Sequence, residues 1–174
     1  MIDTPRLTIR LPEERDAEPY LRIHSDPDVM RWLGGRFPKS VDEERERIAQ
    51  RCGLQEKHGF TMWAVEEKET GELVGAAGLF HVEGQGPDVE VAYHFAKDRW
   101  GRGYATEAAK ASIAYGFDVA GLDRIVGLVA PANVASARVL EKCGLKPAGQ
   151  AHHYDLDLNK YAIERTSRTQ EKGS

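Results

Sequence analysis

Residues 88–118 read DVEVAYHFAKDRWGRGYATEAAKASIAYGFD, and the change of period inside this stretch decides the fold. Up to Phe95 the residues alternate, with Val89, Val91, Tyr93 and Phe95 on one face and Glu90, Ala92 and His94 on the other. That is the two-residue repeat of a strand with one polar side. From residue 103 to 118 the small and apolar positions Ala105, Ala108, Ala109, Ser112, Ile113 and Phe117 recur at helical spacing, which predicts a helix packed closely on a sheet. Between the two lies Trp100-Gly101-Arg102-Gly103-Tyr104-Ala105-Thr106-Glu107. Gly101 and Gly103 let the backbone approach a ligand, and the unpaired amides at the start of the new helix favour phosphate oxygens. Such a turn would hold a pyrophosphate, with Arg102 adding a charge and Thr106 a hydroxyl. Taken alone, a Gly-x-Gly is more often just a tight strand-to-helix turn. A Rossmann fingerprint would need a third glycine where Thr106 stands, so dinucleotide binding is the weaker use.

Working outward, RLTIRL with Leu7 and Ile9 opens as a strand. Asp16 then offers an N-cap to a short helix containing Pro19, and Asp26-Pro27 starts a second one that Gly34-Gly35 stops. Ser40-x-x-Glu43 reads as a capping box for a charged helix over 41–57. Its thin apolar stripe of Val41, Ile48 and Cys52 places it on the surface. FTMWAVEE and LVGAAGLFHV, joined at Glu69-Thr70-Gly71-Glu72, form a hairpin. RIVGLVA from Arg124 is a strand buried on both faces, and Asn133 caps a helix running to Cys143 and Gly144. Two strands, about 145–153 and 156–165, close the order. Trp32, Phe37 and Trp63 could line an acceptor site, but core packing is the better reading of each. The succession implies an α/β or α+β fold, a mixed sheet covered by helices, in one domain over 1–165 with a fraying tail over 166–174.

Composition bounds what such a domain does. With 174 residues it can bury roughly two-thirds of its unfolded surface. A net charge of −4 gives no footprint for nucleic acid. No apolar run is long enough for a membrane span, and the amino terminus lacks a secretory leader, which leaves the cytoplasm as the expected compartment. Cys52 and Cys143 are too few for a disulfide framework. Cys143 at a helix C-terminus is a poor thiolate, which counts against a cysteine hydrolase. His152, His153 and Asp155 crowd into four residues and cannot surround a metal ion, so none is expected.

The glycine segment resembles the pyrophosphate motif of the GNAT N-acetyltransferase superfamily, matching at Gly103 and Ala105. Trp100 departs from the general pattern, but WGRGYATEA is the form carried by the branch of ribosomal-protein N-terminal (alanine/serine) acetyltransferases. PANVASARVLEKCGL, with Asn133, Ser136, Lys142 and Gly144, and the opening TPRLTIRL resemble two further signatures of that branch. The likeness covers about residues 4–165. It implies a mostly antiparallel sheet splayed between strands four and five, with acetyl-CoA entering the gap. It further implies that Tyr93, His94, Phe95 and Ala96 run beside the pantetheine arm, with one amide polarising the thioester carbonyl. Residues Gly101 to Thr106, Tyr104 and Ala105 included, would hold the pyrophosphate. Asn133 is similar to a residue that contacts the CoA arm, and as a helix cap it reads equally well.

Acetyl transfer needs a neutral amine, a stabilised oxyanion and a proton for the leaving thiolate. For an α-amine of pKa about 8, on the order of a tenth is already neutral at pH 7, so positioning outweighs proton abstraction. Glu90, on the polar side of its strand, is the first candidate base and His94 the second; an exposed strand carboxylate is the equally weighted alternative for Glu90. Many family members place a tyrosine acid seven residues after the asparagine, where this chain has Leu140. Ser136, by the branch resemblance, and Tyr154 in the final hairpin are the acids left, each with an equally good structural role. The acceptor walls are expected from residues 25–40 and 150–157. The acceptor implied is a protein or peptide α-amino group. A polyamine, an aminoglycoside or another small amine is the alternative, and a non-catalytic acyl-CoA-binding module stands beside both. The sequence leaves monomer and homodimer open.

Overall fold

The computed structural model describes residues 1–34 and 37–166. Eight strands form a single sheet: β1 (Ile2–Asp3), β2 (Leu7–Arg10), β3 (Met62–Glu67), β4 (Leu73–His81), β5 (Val89–Phe95), β6 (Arg124–Val129), β7 (Lys146–His153) and β8 (Leu156–Glu164). Their order is β1-β2-β3-β4-β5-β6-β8-β7. Every neighbouring pair is antiparallel except β5 and β6. A parallel pair needs a crossover, and α4 (Tyr104–Asp118) supplies it. The other helices are α1 (Ala17–His24), α2 (Pro27–Met30), α3 (Val41–His58) and α5 (Val134–Lys142). This is the mixed, mostly antiparallel sheet flanked by helices that the sequence implies. The stretch 167–174, most of the expected tail, lies outside the described residues, as does Gly35 of the glycine stop.

Two apolar clusters sandwich the sheet. On one side Ala108, Ala109, Ile113 and Phe117 of α4 pack with Leu79, Val91, Phe95 and Ile125. Leu140 of α5 comes so close to β6 that a Cβ on Gly127 would stand 2.6 Å from it, so only glycine admits the helix there. On the other side Ala17 and Tyr20 of α1 and Ile48 of α3 pack on Ala64 and Ala76. The alternation read along β5 therefore assigns its two faces to two different layers.

Three expectations change. Asp16 stands at the N-cap of α1 but makes no side-chain cap bond; its carboxylate instead takes both Arg10 guanidinium nitrogens, at 2.8 and 2.9 Å. A buried cation attracts it more strongly than a helix amide does. The charged helix α3 is not a surface element on all sides, because Glu44 and Arg51 share its buried face with Ile48. Glu44 is three residues after Val41 and four before Ile48, on the same stripe. Trp32 is 40% exposed, whereas Trp63 is in the core with its indole nitrogen on Gln55 Oε1 at 2.9 Å. Among the described residues no helix is long and apolar enough to cross a membrane.

Candidate active site

The strand edge of β5 facing β6 is open. All seven residues of β5 pair with β4, yet only Glu90 pairs with Val126 of β6. Beyond that point the strands part, and backbone groups on a buried edge require a partner. With Ile2–Asp3 counted as an extra first strand, this is the gap between the fourth and fifth strands expected from the sequence. The Val91–Phe95 edge is thus left without a neighbouring strand.

At the end of that edge the turn into α4 is built for an anion. Gly101 and Gly103 have φ of +74° and +80°, the left-handed region that other residues avoid. Gly103 is the N-cap of α4 and offers no side-chain acceptor to the first-turn amides. A Cβ on Gly101 would meet nothing within 4 Å, so a ligand has room on that side. The loop is pinned by the Trp100 indole, which donates to the Phe95 carbonyl at 2.9 Å. Glu107, whose charge would oppose a phosphate, accepts from Thr4 Oγ1 and from Arg6 Nε, both at 2.7 Å. Arg6 also donates to the Arg102 carbonyl at 2.7 Å. These features fit the pyrophosphate of coenzyme A.

Not every residue of the motif points its side chain at that anion. The Tyr104 hydroxyl donates to buried Glu67 at 2.6 Å, and Arg102 Nη1 stands 3.3 Å from the same carboxylate. The Tyr104 hydroxyl, followed by Thr70, Arg99 and Arg102, holds Glu67 below the usual carboxylate range against the effect of its burial. Tyr104 therefore serves a ligand through its backbone, and the charge of Arg102 is already shared. Thr106 is half-buried in the first helical turn.

On the α4 side of β5, the Tyr93 hydroxyl meets both Ser136 Oγ and the Ser136 carbonyl at 3.1 Å. Ser136 is set there by Asn133, whose side chain accepts its amide at 3.2 Å. Asn133 thus does cap α5. The sequence points only to the Tyr93 backbone; its side-chain contact depends on α5 folding back over the gap, which no local pattern announces. Burial pushes the Cys143 thiol up to about 11, which leaves it a structural thiol.

On the opposite side, Glu90 is 7% exposed and its Oε2 has no hydrogen-bond partner. Burial pushes its carboxyl up to about 8, with the Leu128 amide and the Tyr154 hydroxyl pulling the other way. It is not the exposed strand carboxylate of the alternative reading. Tyr154 and Asp155 form the β7–β8 turn with φ of +55° and +57°. That hairpin is tied to the β4–β5 turn, since the Tyr154 hydroxyl accepts from the Glu83 amide at 2.9 Å and its own amide donates to Glu83 Oε1 at 2.8 Å. Tyr154 therefore belongs with Glu90, and Ser136 with Tyr93, on opposite faces. His94 lies on the Glu90 side, its Nε2 3.0 Å from His24 Nε2. Burial first, then His24, Arg51 and Arg47, hold its ring well below the usual histidine range, so it is neutral at pH 7. His152 pairs with Asp157 at 2.8 Å, and among the described residues no group of His, Cys, Asp or Glu is placed to hold a metal ion.

The family model of the acetyltransferase (GNAT) domain matches residues 6–146. This chain belongs to the GNAT acetyltransferase family. It is similar to YoaA of Bacillus subtilis, named as an uncharacterized N-acetyltransferase, with 31% identity over 94% of this chain and 96% of the relative. YdaF, also of Bacillus subtilis, is named as a putative ribosomal N-acetyltransferase and is 29% identical over 86% of this chain and 87% of its own. Among solved structures, a GNAT acetyltransferase from Bacillus anthracis superposes with a TM-score of 0.79 at 30% identity, covering 95% and 98% of the two chains. This protein is accordingly an acetyl-transferring enzyme.

Proposed function

We propose that this acetyltransferase moves the acetyl group of acetyl-CoA by direct attack onto the α-amino group of a protein or peptide N-terminus. Pantetheine lies along the β5 edge and the pyrophosphate sits on Gly101 to Thr106. The amine arrives from the side of Glu90 and His94. Ser136, bonded to Tyr93, faces the leaving sulfur and passes it a proton. Glu90, at about 8, is ionised in only a minor fraction at pH 7 and adds to proton removal at the alkaline end of the working range.

The observation that carries the choice of acceptor is the character of the walls. Trp32, Tyr154 and Leu156 are 40%, 39% and 48% exposed, and the two segments that carry them meet where a Cβ on Gly34 would stand 4.0 Å from Leu156. Exposed apolar side chains on two approaching loops suit the first residues of an extended peptide. A polyamine would call for a carboxylate-lined pocket, whereas Trp32, Tyr154 and Leu156 offer apolar surface. The name that YdaF carries points to the same acceptor class.

The test is thiol release from acetyl-CoA against peptides with free amino termini, polyamines and aminoglycosides, with mass spectrometry on the products. Acetylated peptide α-amines are expected. Turnover confined to a small amine overturns the acceptor, and acetyl-CoA binding without turnover on any amine favours a binding module.

A further inference from the structure

A chain of three side chains from three elements runs inward from β5. His94, opposite Ala76 in the sheet, contacts His24 of α1 through Nε2 of both rings at 3.0 Å. His24 Nδ1 is in turn hydrogen-bonded to Glu44 Oε1 of α3. The His24 and Glu44 side chains are wholly buried, while His94 keeps some exposure. Tyr20 stacks on His24 at 5.6 Å between centroids, and Phe37 covers it at 5.2 Å. The charged groups around the chain are Arg47 and Arg51 of α3, the first over Phe37 and the second over Tyr20. A buried histidine pair ending on a carboxylate is costly unless each atom has a defined donor or acceptor.

For neutral rings the hydrogen-bond inventory assigns those roles. With the Glu44 carboxylate as acceptor, His24 donates from Nδ1, and in the neutral ring Nε2 then carries the lone pair. A bare Nε2 on His24 accepts, so His94 donates from Nε2 and its own Nδ1 carries the lone pair. We propose that His94, held in this tautomer by His24 and Glu44, accepts the proton of the attacking amine at neutral pH. His24 and Glu44 are positioning residues. The proposal rests on the acetyl-transfer reading of the site.

The step balances. The amine nitrogen bonds to the thioester carbon, and its proton goes to His94 Nδ1. The proton on His94 Nε2 shifts to His24 Nε2, which leaves a protonated imidazole against the Glu44 carboxylate. The C–S bond breaks and the thiolate takes the Ser136 hydroxyl proton, which solvent restores. The histidine chain returns one proton to solvent as the product leaves. The Glu44 carboxylate, hydrogen-bonded to His24 Nδ1, is the counter-charge for the protonated His24 imidazole.

Nitrogen-detected NMR of the histidine rings in the wild-type protein tests the tautomers without any substrate. Hydrogen on His94 Nε2 and on His24 Nδ1 is expected, and hydrogen on His94 Nδ1 overturns the proposal. His24→Phe and Glu44→Gln, assayed with acetyl-CoA and a short peptide bearing a free N-terminal serine, or whichever amine the wild type acetylates, should lose on the order of 10²-fold in kcat at pH 7. Their KM for acetyl-CoA should not change, and the deficit should narrow near pH 9, where Glu90 is ionised. Variants that keep the wild-type pH–rate profile overturn the relay. Absence of wild-type turnover on every amine would instead remove the acetyl-transfer reading and leave the tautomer result standing. If either variant fails to fold, the wild-type tautomers decide.

Discussion

The two ends of β5 solve different problems by different means. At its C-terminal end, the turn through Gly101 and Gly103 into α4 makes an anion site from backbone alone, within a few consecutive residues. Along its Glu90 and His94 face, the chemistry comes from side chains that α1, α3 and the β7–β8 hairpin bring in from far along the chain. A cofactor common to a whole family can be held by main-chain groups that substitution hardly touches. Proton acceptors depend on burial and neighbours, which vary freely between relatives.

The sharpest way to break this contrast is Gly103→Val. A β-branched residue cannot hold φ of +80°, and its Cβ would press on the Arg6 guanidinium 3.4 Å away. Acetyl-CoA affinity by calorimetry should fall by at least about 10²-fold. Undiminished binding would remove the glycine turn as the cofactor site. Next in size, Tyr93→Phe or Ser136→Ala should lower kcat roughly tenfold with KM unchanged, by loss of the pair facing the sulfur; steady-state kinetics with a fixed acceptor reads it.

Glu90→Gln tests the other face through stability. A carboxyl raised to about 8 keeps its proton in the folded state where the unfolded chain has lost it. The folded state therefore loses stability as pH climbs from the ordinary glutamate value to about 8, by up to about 1.4 kcal/mol per pH unit, and levels off above. Denaturant unfolding between pH 5 and 9 should show that slope in the wild type and not in the glutamine variant. A slope common to both would show that Glu90 is not the group that titrates. The smallest effect is expected for Arg102→Ala. Its charge is shared with Glu67, so acetyl-CoA affinity should drop by no more than about threefold. A larger drop would mean that the arginine leaves Glu67 for the cofactor.

Much of the fold was legible because the signals are local. The strand–turn–helix from 88 to 118, the hairpin over β3 and β4 and the Asn133 cap each follow from spacing within a dozen or so residues, and each is present. Two of the errors fell where a polar side chain had another choice of partner, and the third was the exposure of Trp32. Asp16 left its helix for Arg10, and α3 turned a glutamate and an arginine inward. The one local hint was Glu44 falling in line with Val41 and Ile48. His24 carried no hint, since nothing near residue 24 names residues 44 or 94 as its neighbours.

The sequence by itself determined the layered sheet and the glycine turn into α4, because backbone conformation and apolar periodicity are properties of short stretches, and the resemblance of its motifs pointed to the family. Tertiary structure alone decided which groups hold protons. Tyr93 meets Ser136 only when α5 closes over the splayed strands, and the Glu90 carboxyl is raised only when the packed sheet excludes water from it. Charge state follows from what surrounds a group in space, and that is settled only when the layers pack.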